Sequence, residues 1–423
     1  MLHSTPPEPW THGVHFAKWL LLALLVGALA GSASAALLWA LDLATATREA
    51  QRWLVWGLPL AGFAVAWVYL QIGQQVEGGN NLLIDEIHDP QQAVALRMAP
   101  LILFGTVVSH LFGASVGREG TAVQMGGALA DQVTRALKLA RDDRRILLMA
   151  GISAGFASVF GTPLAGAVFA LEVLAIGRLR YDALWPCVVA AIVGDQIALW
   201  WGAHHAHYAA GVVPPLSLWS LAAVLLAGAA FGLVGRLFAA ATHRLSAAFR
   251  RRVPYSPLRA LVGGALIATA LLGLGAWRYA GLGLPVIAEA FAQALPPWDF
   301  AAKLAYTVVS LASGFKGGEV TPLFVIGATL GSALAPLLDM PVALMAALGF
   351  VAVFAGAANT PLACTLMAVE LFGADLGVYA IVACVISYLF SGQTGIYRAQ
   401  RPGQPKAARS SAREAPHDPP DSP

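Results

Sequence analysis

Apolar runs follow one another along almost the whole chain, separated by short polar turns: near residues 19–42, 53–72, 99–113, 121–137, 146–176, 184–201, 216–240 and 257–282, then 302–314, 321–337, 341–357, 361–373 and 376–391. A helix of about 18 or more apolar residues crosses a ~30 Å hydrocarbon core, and several runs are long enough. The pattern predicts an all-α membrane protein that crosses the bilayer many times. Other runs are shorter and carry Gly or Pro in the middle of apolar sequence, which predicts broken helices. Irregular backbone at membrane depth leaves N–H and C=O groups unpaired, tolerated only against protein or a watery cavity. The breaks therefore point toward a site.

Composition agrees with this pattern. Hydrophobic residues make up 58% of the chain and the mean hydropathy is +0.68. Charged residues make up 12%, about half of the ~25% typical of globular proteins. A net charge of +3 gives no basis for nucleic-acid binding, and three cysteines cannot build a disulfide scaffold. Cys187, Cys364 and Cys384 lie in apolar segments without metal-ligand spacing and are expected to pack as small core side chains. No metal site and no cofactor is expected.

Basic residues set the expected orientation. They cluster at Arg135–Arg145, Arg244–Arg259 and Arg398–Arg413, whereas the loops near 204–215 and 285–298 carry no Lys or Arg. The clusters are expected to be cytoplasmic, with both termini on that side. Residues 1–18 lack the features of a signal peptide and read as a short tail. Residues 398–423, rich in Pro, Ser, Ala and charge, read as a disordered tail. The membrane domain is then 19–397.

Sliding the second half of the chain over the first exposes an internal repeat. Gly117-Arg118-Glu119-Gly120-Thr121, with Gly127-Ala128, aligns with Gly317-Gly318-Glu319-Val320-Thr321, with Gly327-Ala328, at a shift of 200. Thr162-Pro163-Leu164-Ala165, with Glu172, aligns with Thr360-Pro361-Leu362-Ala363, with Glu370, at a shift of 198. Two related halves, about 19–200 and 216–397, are expected. Gly- or Pro-interrupted segments at matching places in two halves are the mark of a transporter with its site between the repeats.

In each first block a glycine-rich turn precedes an apolar helix, so unpaired N–H groups and the positive end of the helix dipole face one place. An anion suits it. Glu119 and Glu319 stand there too, and an intramembrane charge costs at least ~2.5–3.5 kcal/mol. A carboxylate can occupy the anion position and leave it on protonation, which ties proton movement to anion movement. The plainer alternatives are a capping acid at Glu119 and, at Glu319, half of an ion pair with Lys316. Arg118 is expected to orient local backbone, and Glu172 and Glu370 to be structural or interfacial.

At these residues the sequence resembles the CLC family of chloride channels and chloride/proton antiporters, over nearly the whole membrane region. The family's GSGIP motif corresponds to Gly79-Asn80-Asn81-Leu82-Leu83, its GREGP to Gly117 through Thr121, and its GxFxP to Gly318-Glu319-Val320-Thr321-Pro322. Its pathway tyrosine corresponds to Tyr397, for which a place in the interfacial aromatic belt is the plainer alternative. The resemblance implies a CLC-type fold of two inverted-topology repeats with broken, tilted helices, and a homodimer with a separate pathway in each subunit. It makes Glu119 the gating glutamate, and the amides of Glu319 and Val320 part of the central anion site.

Three departures refine the expectation. Asn80 stands where chloride carriers have serine, Thr121 replaces the proline of GREGP, and Val173 occupies the place of the inner proton glutamate of chloride antiporters. An acid appears instead at Glu319. The combination resembles the fluoride/proton antiporter branch, which implies fluoride export driven by inward protons in a bacterial inner membrane. Fluoride holds its water tightly, so its site must supply strong donors, and an asparagine amide offers two N–H donors where a serine hydroxyl offers one. Glu119 is expected to swing between the anion position and another pocket while Glu319 relays or senses the proton.

Three rivals remain. Two are a chloride channel or antiporter with altered motifs and an uncoupled fluoride channel. The third, from a different class, is a membrane-embedded metal-dependent hydrolase built on Gly194-Asp195 or on His204, His205 and His207. These have only one acid and no accompanying ligand set.

Overall fold

The computed structural model describes residues 8–206, 208–403 and 406. His207 and most of the expected C-terminal tail lie outside the described residues. Among the described residues sixteen α-helices account for nearly all of the fold, and they fall into two sets of eight. The first set is α1 (Glu8–Ala50), α2 (Leu58–Ile72), α3 (Asn80–His88), α4 (Met98–Phe112), α5 (Glu119–Ala136), α6 (Arg141–Phe160), α7 (Pro163–Glu172) and α8 (Leu184–Trp200). The second is α9 (Leu218–Arg252), α10 (Ser256–Gly273), α11 (Leu284–Ala292), α12 (Asp299–Ser313), α13 (Val320–Leu334), α14 (Val342–Ala358), α15 (Pro361–Phe372) and α16 (Gly377–Phe390). Long first helices, short third helices and proline-led seventh helices recur in the same order, so the repeat is structural as well as sequential.

The apolar pattern located most of these helices and missed three boundaries for identifiable reasons. The run at 146–176 is two helices, because Gly161 takes a left-handed backbone and Pro163 starts α7 afresh. Helix α3 carries Asn80, Asn81, Asp85, Glu86 and His88, too polar to register as a span. Helix α11, nine residues behind a left-handed Gly283, falls almost wholly in the segment 285–298 expected as a loop, because it is too short to register as a span. At the N-terminus α1 already begins at Glu8, within the segment 1–18 expected as a tail. At the other end, Arg401–Pro402 leaves that tail to pair in parallel with Ala175–Ile176, the two short strands β2 and β1.

Helix α1 has 43 residues; at 1.5 Å per residue it is about 64 Å long, roughly twice a hydrocarbon core. It therefore reaches from one face of the membrane to the other. Lys18 near its start pairs with Asp143 at 2.6 Å. That end also holds Arg144, which bridges Glu86 at 2.9 Å and Asp131 at 2.6 Å. Arg48, thirty residues along the helix from Lys18, donates to the His110 carbonyl at the opposite face. The first of these is the basic end of the molecule.

Where the halves touch along α7 and α15 they exchange caps. Glu172 accepts from the backbone N–H groups of Leu362 and Ala363 at 3.1 and 2.9 Å. Glu370 accepts from those of Leu164 and Ala165, both at 2.8 Å. Each carboxylate thus satisfies two orphan donors at the start of the other repeat's helix and opposes its dipole. This is the structural role expected of both residues. The three cysteines are free and buried, also as expected.

Candidate anion site

Helices α5 and α13 both begin in the interior of the protein, and their N-termini meet. The turns before them join through a two-residue antiparallel bridge: Gly117 N–H donates to the Gly318 carbonyl at 2.6 Å, and Gly318 N–H to the Gly117 carbonyl at 2.7 Å. Because two matching helices start from one point and run apart, the repeats are inverted relative to each other. Glycine is required here: a Cβ on Gly318 would sit 2.7 Å from the Gly120 nitrogen. The bridge brings the Glu119 and Glu319 turns together, as the repeat predicts.

Glu119 is wholly buried. Its Oε2 accepts from the backbone N–H of Arg118 at 3.1 Å and of Thr321 at 3.0 Å, and the Thr321 hydroxyl hydrogen-bonds its Oε1. A carboxylate from one half is therefore held by the helix start of the other. Backbone amides converging on a buried carboxylate oxygen are the donors an anion would use if the carboxylate withdrew. Glu119 does more than cap its own helix. Arg118 brings its Nε to 3.6 Å from Glu119 Oε1, and that Nε has no hydrogen-bond partner.

Glu319 is placed otherwise. It is the N-cap of α13, and its side chain lines a cavity of about 480 Å³ that opens at the basic end among Asn80, Asn81, Lys316, Tyr397 and Arg250. No ion pair joins it to Lys316 among the described residues. The Lys316 ammonium lies instead over the Tyr69 ring, 4.0 Å from its centroid. The ion-pair alternative for Glu319 is thereby removed.

The other motif residues surround the same place. Gly79, with φ of +56°, turns the chain into α3, so that Asn80 and Asn81 open the helix at the cavity. The Asn80 amide nitrogen is 3.1 Å from where a Cβ on Gly120 would be, which sets it against the α5 start. Its Oδ1 is buried without a partner. Asn81 accepts from the Ala399 N–H at 3.0 Å and so ties α3 to the segment carrying Tyr397, which is itself buried. Thr121 does not face the bridge; its hydroxyl shares a 2.7 Å hydrogen bond with that of Thr106. Val320 is buried as the first residue of α13.

Several residues around the site were not singled out from sequence. Gln124 lines the cavity and packs beside Gly79. It stands four residues after Gly120, on the same helix face, and that spacing was the available signal. His243 binds the Gly395 carbonyl at 2.9 Å and accepts from Arg398 Nε at 3.1 Å, pinning both flanks of Tyr397. Gln400 donates to the carbonyls of Val173 and Ala358 and accepts from Asn359. These contacts join residues far apart in the chain and had no local signature. The hydrolase rival gains little: His205 approaches Asp195 at 3.4 Å, but no group of three possible metal ligands occurs among the described residues.

Two inverted sets of broken helices whose N-termini surround a buried carboxylate define a membrane protein of the anion-transport type. The family model for the voltage gated chloride channel matches residues 61–392, and the chain belongs to this CLC family. It is 63% identical over 401 residues to the "Chloride/fluoride channel protein" of Pseudomonas syringae pv. tomato, covering 93% of this chain and 89% of that one. The crystal structure of a CLC-type fluoride/proton antiporter superposes with a TM-score of 0.89 at 33% identity, covering 95% of this chain and all of that one. A slow cyanobacterial chloride/proton antiporter, 22% identical with a TM-score of 0.79 over 90% of this chain and 96% of that one, shares the fold.

Proposed function

We propose that this protein exports fluoride in exchange for protons across the bacterial inner membrane, as a transporter and not an enzyme. The observation that carries the reading is the hold on Glu119: two backbone amides and the Thr321 hydroxyl gather around one buried carboxylate, in a cradle equally suited to a small anion. Protonation weakens that hold and frees the cradle, so proton and anion take turns. Glu319, in the matching turn and open to the cavity, exchanges the proton with the basic end. Asn80, against the α5 start, supplies amide donors to an ion that must be compensated for lost water. The likeness to a fluoride/proton antiporter and to a chloride/fluoride channel protein supports fluoride as the cargo.

The basic end faces the cytoplasm in this reading, together with both termini, by the positive-inside rule. The protein works as a homodimer with one pathway per subunit. The exposed Leu164 and Leu362, beside the exchanged caps on α7 and α15, are candidates for the face that meets the partner in this reading.

Purified protein in liposomes, with fluoride and pH recorded together, tests the assignment. A proton gradient should drive fluoride uphill, and fluoride should drive protons. A reversal potential indifferent to the pH gradient would replace the antiporter by a passive fluoride channel. Asn80→Ser should raise chloride flux relative to fluoride by about tenfold, the value of roughly one hydrogen bond. Chloride carried as well as fluoride by the unaltered protein would replace the cargo.

A further inference from the structure

The cavity at the basic end contains a cation that the antiport cycle does not use. Lys316 sits in apolar sequence two residues before Gly318, where an ammonium needs compensation. Among the described residues it has neither a carboxylate within ion-pair distance nor a hydrogen-bond partner, so its three N–H donors are unspent. Glu77, Asp85 and Glu319 line the same cavity, as do Arg250, Arg398 and His243, and none pairs with it. Its ammonium lies over the face of Tyr69, and a ring face replaces only part of an ammonium's hydration.

The fold nevertheless fixes this side chain with care. Gly105 on α4 leaves a slot for its stem: a Cβ there would lie 2.8 Å from Lys316 Cβ and 2.9 Å from its Cγ. Val65 on α2 lines the same slot, its Cγ1 3.3 Å from that Cβ position. The stem is thus gripped by α4 and α2, and the head lies over the Tyr69 ring, both residues lining the cavity. A charge held by its stem, with free donors and only the more distant Glu77 as an opposite charge beside it, is arranged for a counter-ion that arrives from outside.

We propose that Lys316 is a loading site for the transported anion, a stop at the basic-end mouth where the ion trades part of its water for ammonium N–H donors before entering the Glu119 cradle. The site takes a small, strongly hydrated monovalent anion, and it rests on the reading that the cargo is fluoride only for the choice of ion. Its physical purpose follows from its neighbours. Glu319, three residues on, repels an approaching anion whenever it is ionised, and a fixed cation at the mouth offsets that repulsion. The effect is electrostatic, so it acts on occupancy at low concentration and fades as salt screens it.

The test measures initial fluoride flux against fluoride concentration in liposomes, at low and high ionic strength set by an impermeant salt, for the unaltered protein, Lys316→Met and Lys316→Arg. Lys316→Met should raise the half-saturating fluoride about tenfold, as removal of one unit charge near a partly hydrated path would, and leave the maximal rate within about twofold. High salt should raise half-saturation in the unaltered protein and in Lys316→Arg, and change little in Lys316→Met. An unchanged half-saturation in Lys316→Met, or a fall only in maximal rate, would overturn the proposal. If Lys316→Met does not fold, the unaltered protein decides the matter, since half-saturation indifferent to salt sinks the idea equally. Half-saturation is read with or without a pH gradient, so loss of proton coupling would remove the antiport reading and leave this site standing. A salt-dependent shift seen for chloride alone would change the cargo and keep the site.

Discussion

The turn before α5 and the turn before α13 are copies of each other in sequence and bridge through Gly117 and Gly318, one residue out of the repeat's own alignment, yet their carboxylates have different fates. Glu119 is folded into the bridge and gripped by Arg118 N–H, Thr321 N–H and the Thr321 hydroxyl. Glu319 receives nothing equivalent from Thr121, whose hydroxyl is engaged by Thr106. One residue of register accounts for the difference: Glu119 is the first residue of α5, whereas Glu319 is the N-cap of α13. A repeated motif has thus become two arrangements, an acid held by the other repeat's helix start and an acid that opens onto the cavity. Symmetry brings the two turns together, and its local failure sets the two acids apart.

The largest effect that would sharpen this contrast is loss of the gripped acid. Glu119→Gln keeps the shape and cannot titrate, so proton-driven uphill fluoride movement should fall below detection, a loss of at least about a hundredfold for a positioned proton carrier. Full coupling in that variant would break the assignment of the two acids. Glu319→Gln and Glu319→Ala should slow the exchange by about tenfold to a hundredfold, because protons must then reach Glu119 without a relay. Exchange at the normal rate would leave Glu319 a passive cap.

The hold itself gives a smaller and more selective effect. Thr321→Val removes a hydroxyl bonded to a buried carboxylate, a contact worth about 1.5–3 kcal/mol for a charged partner. Proton-independent fluoride leak should rise several-fold in proteoliposomes as Glu119 leaves its cradle more readily. Thr121→Val, at the copied position, loses only the 2.7 Å contact with Thr106 and should leave the leak unchanged. Equal leaks would mean that the two turns are interchangeable after all.

The meeting of the two turns was readable in the sequence because two motifs at nearly one offset must occupy equivalent places, and a glycine-rich break in apolar sequence has few other uses. Helices long and apolar throughout were readable for the same reason. The register difference was not, because the alignment sets Glu119 over Glu319 and a helix start shifts by one residue without changing a letter. Nor were the roles of His243 and Gln400, whose partners at Gly395, Val173 and Ala358 lie beyond any local window. Lys316 was visible as a charge in the wrong solvent, but only the slot at Gly105 and the ring of Tyr69 separate it from an ion pair with Glu319.

The exchanged caps are the counterexample in which the two halves stay alike, and they set the smallest expected effects. Glu172 and Glu370 each receive two N–H groups from the other repeat, but Glu172 is 7% exposed and Glu370 is half-buried. Glutamine at either position keeps one acceptor and turns an NH₂ group toward a backbone N–H, losing one charge-assisted bond and the opposition to the helix dipole. Glu172→Gln should therefore cost about 1–3 kcal/mol and lower the thermal midpoint in detergent by a few degrees. Glu370→Gln should cost less, since water can replace part of its bonding. Neither should alter the number of protons exchanged per fluoride. A changed ratio in either variant would mean that protons visit the caps, and the division between a symmetric frame and an asymmetric pair of working acids would no longer hold.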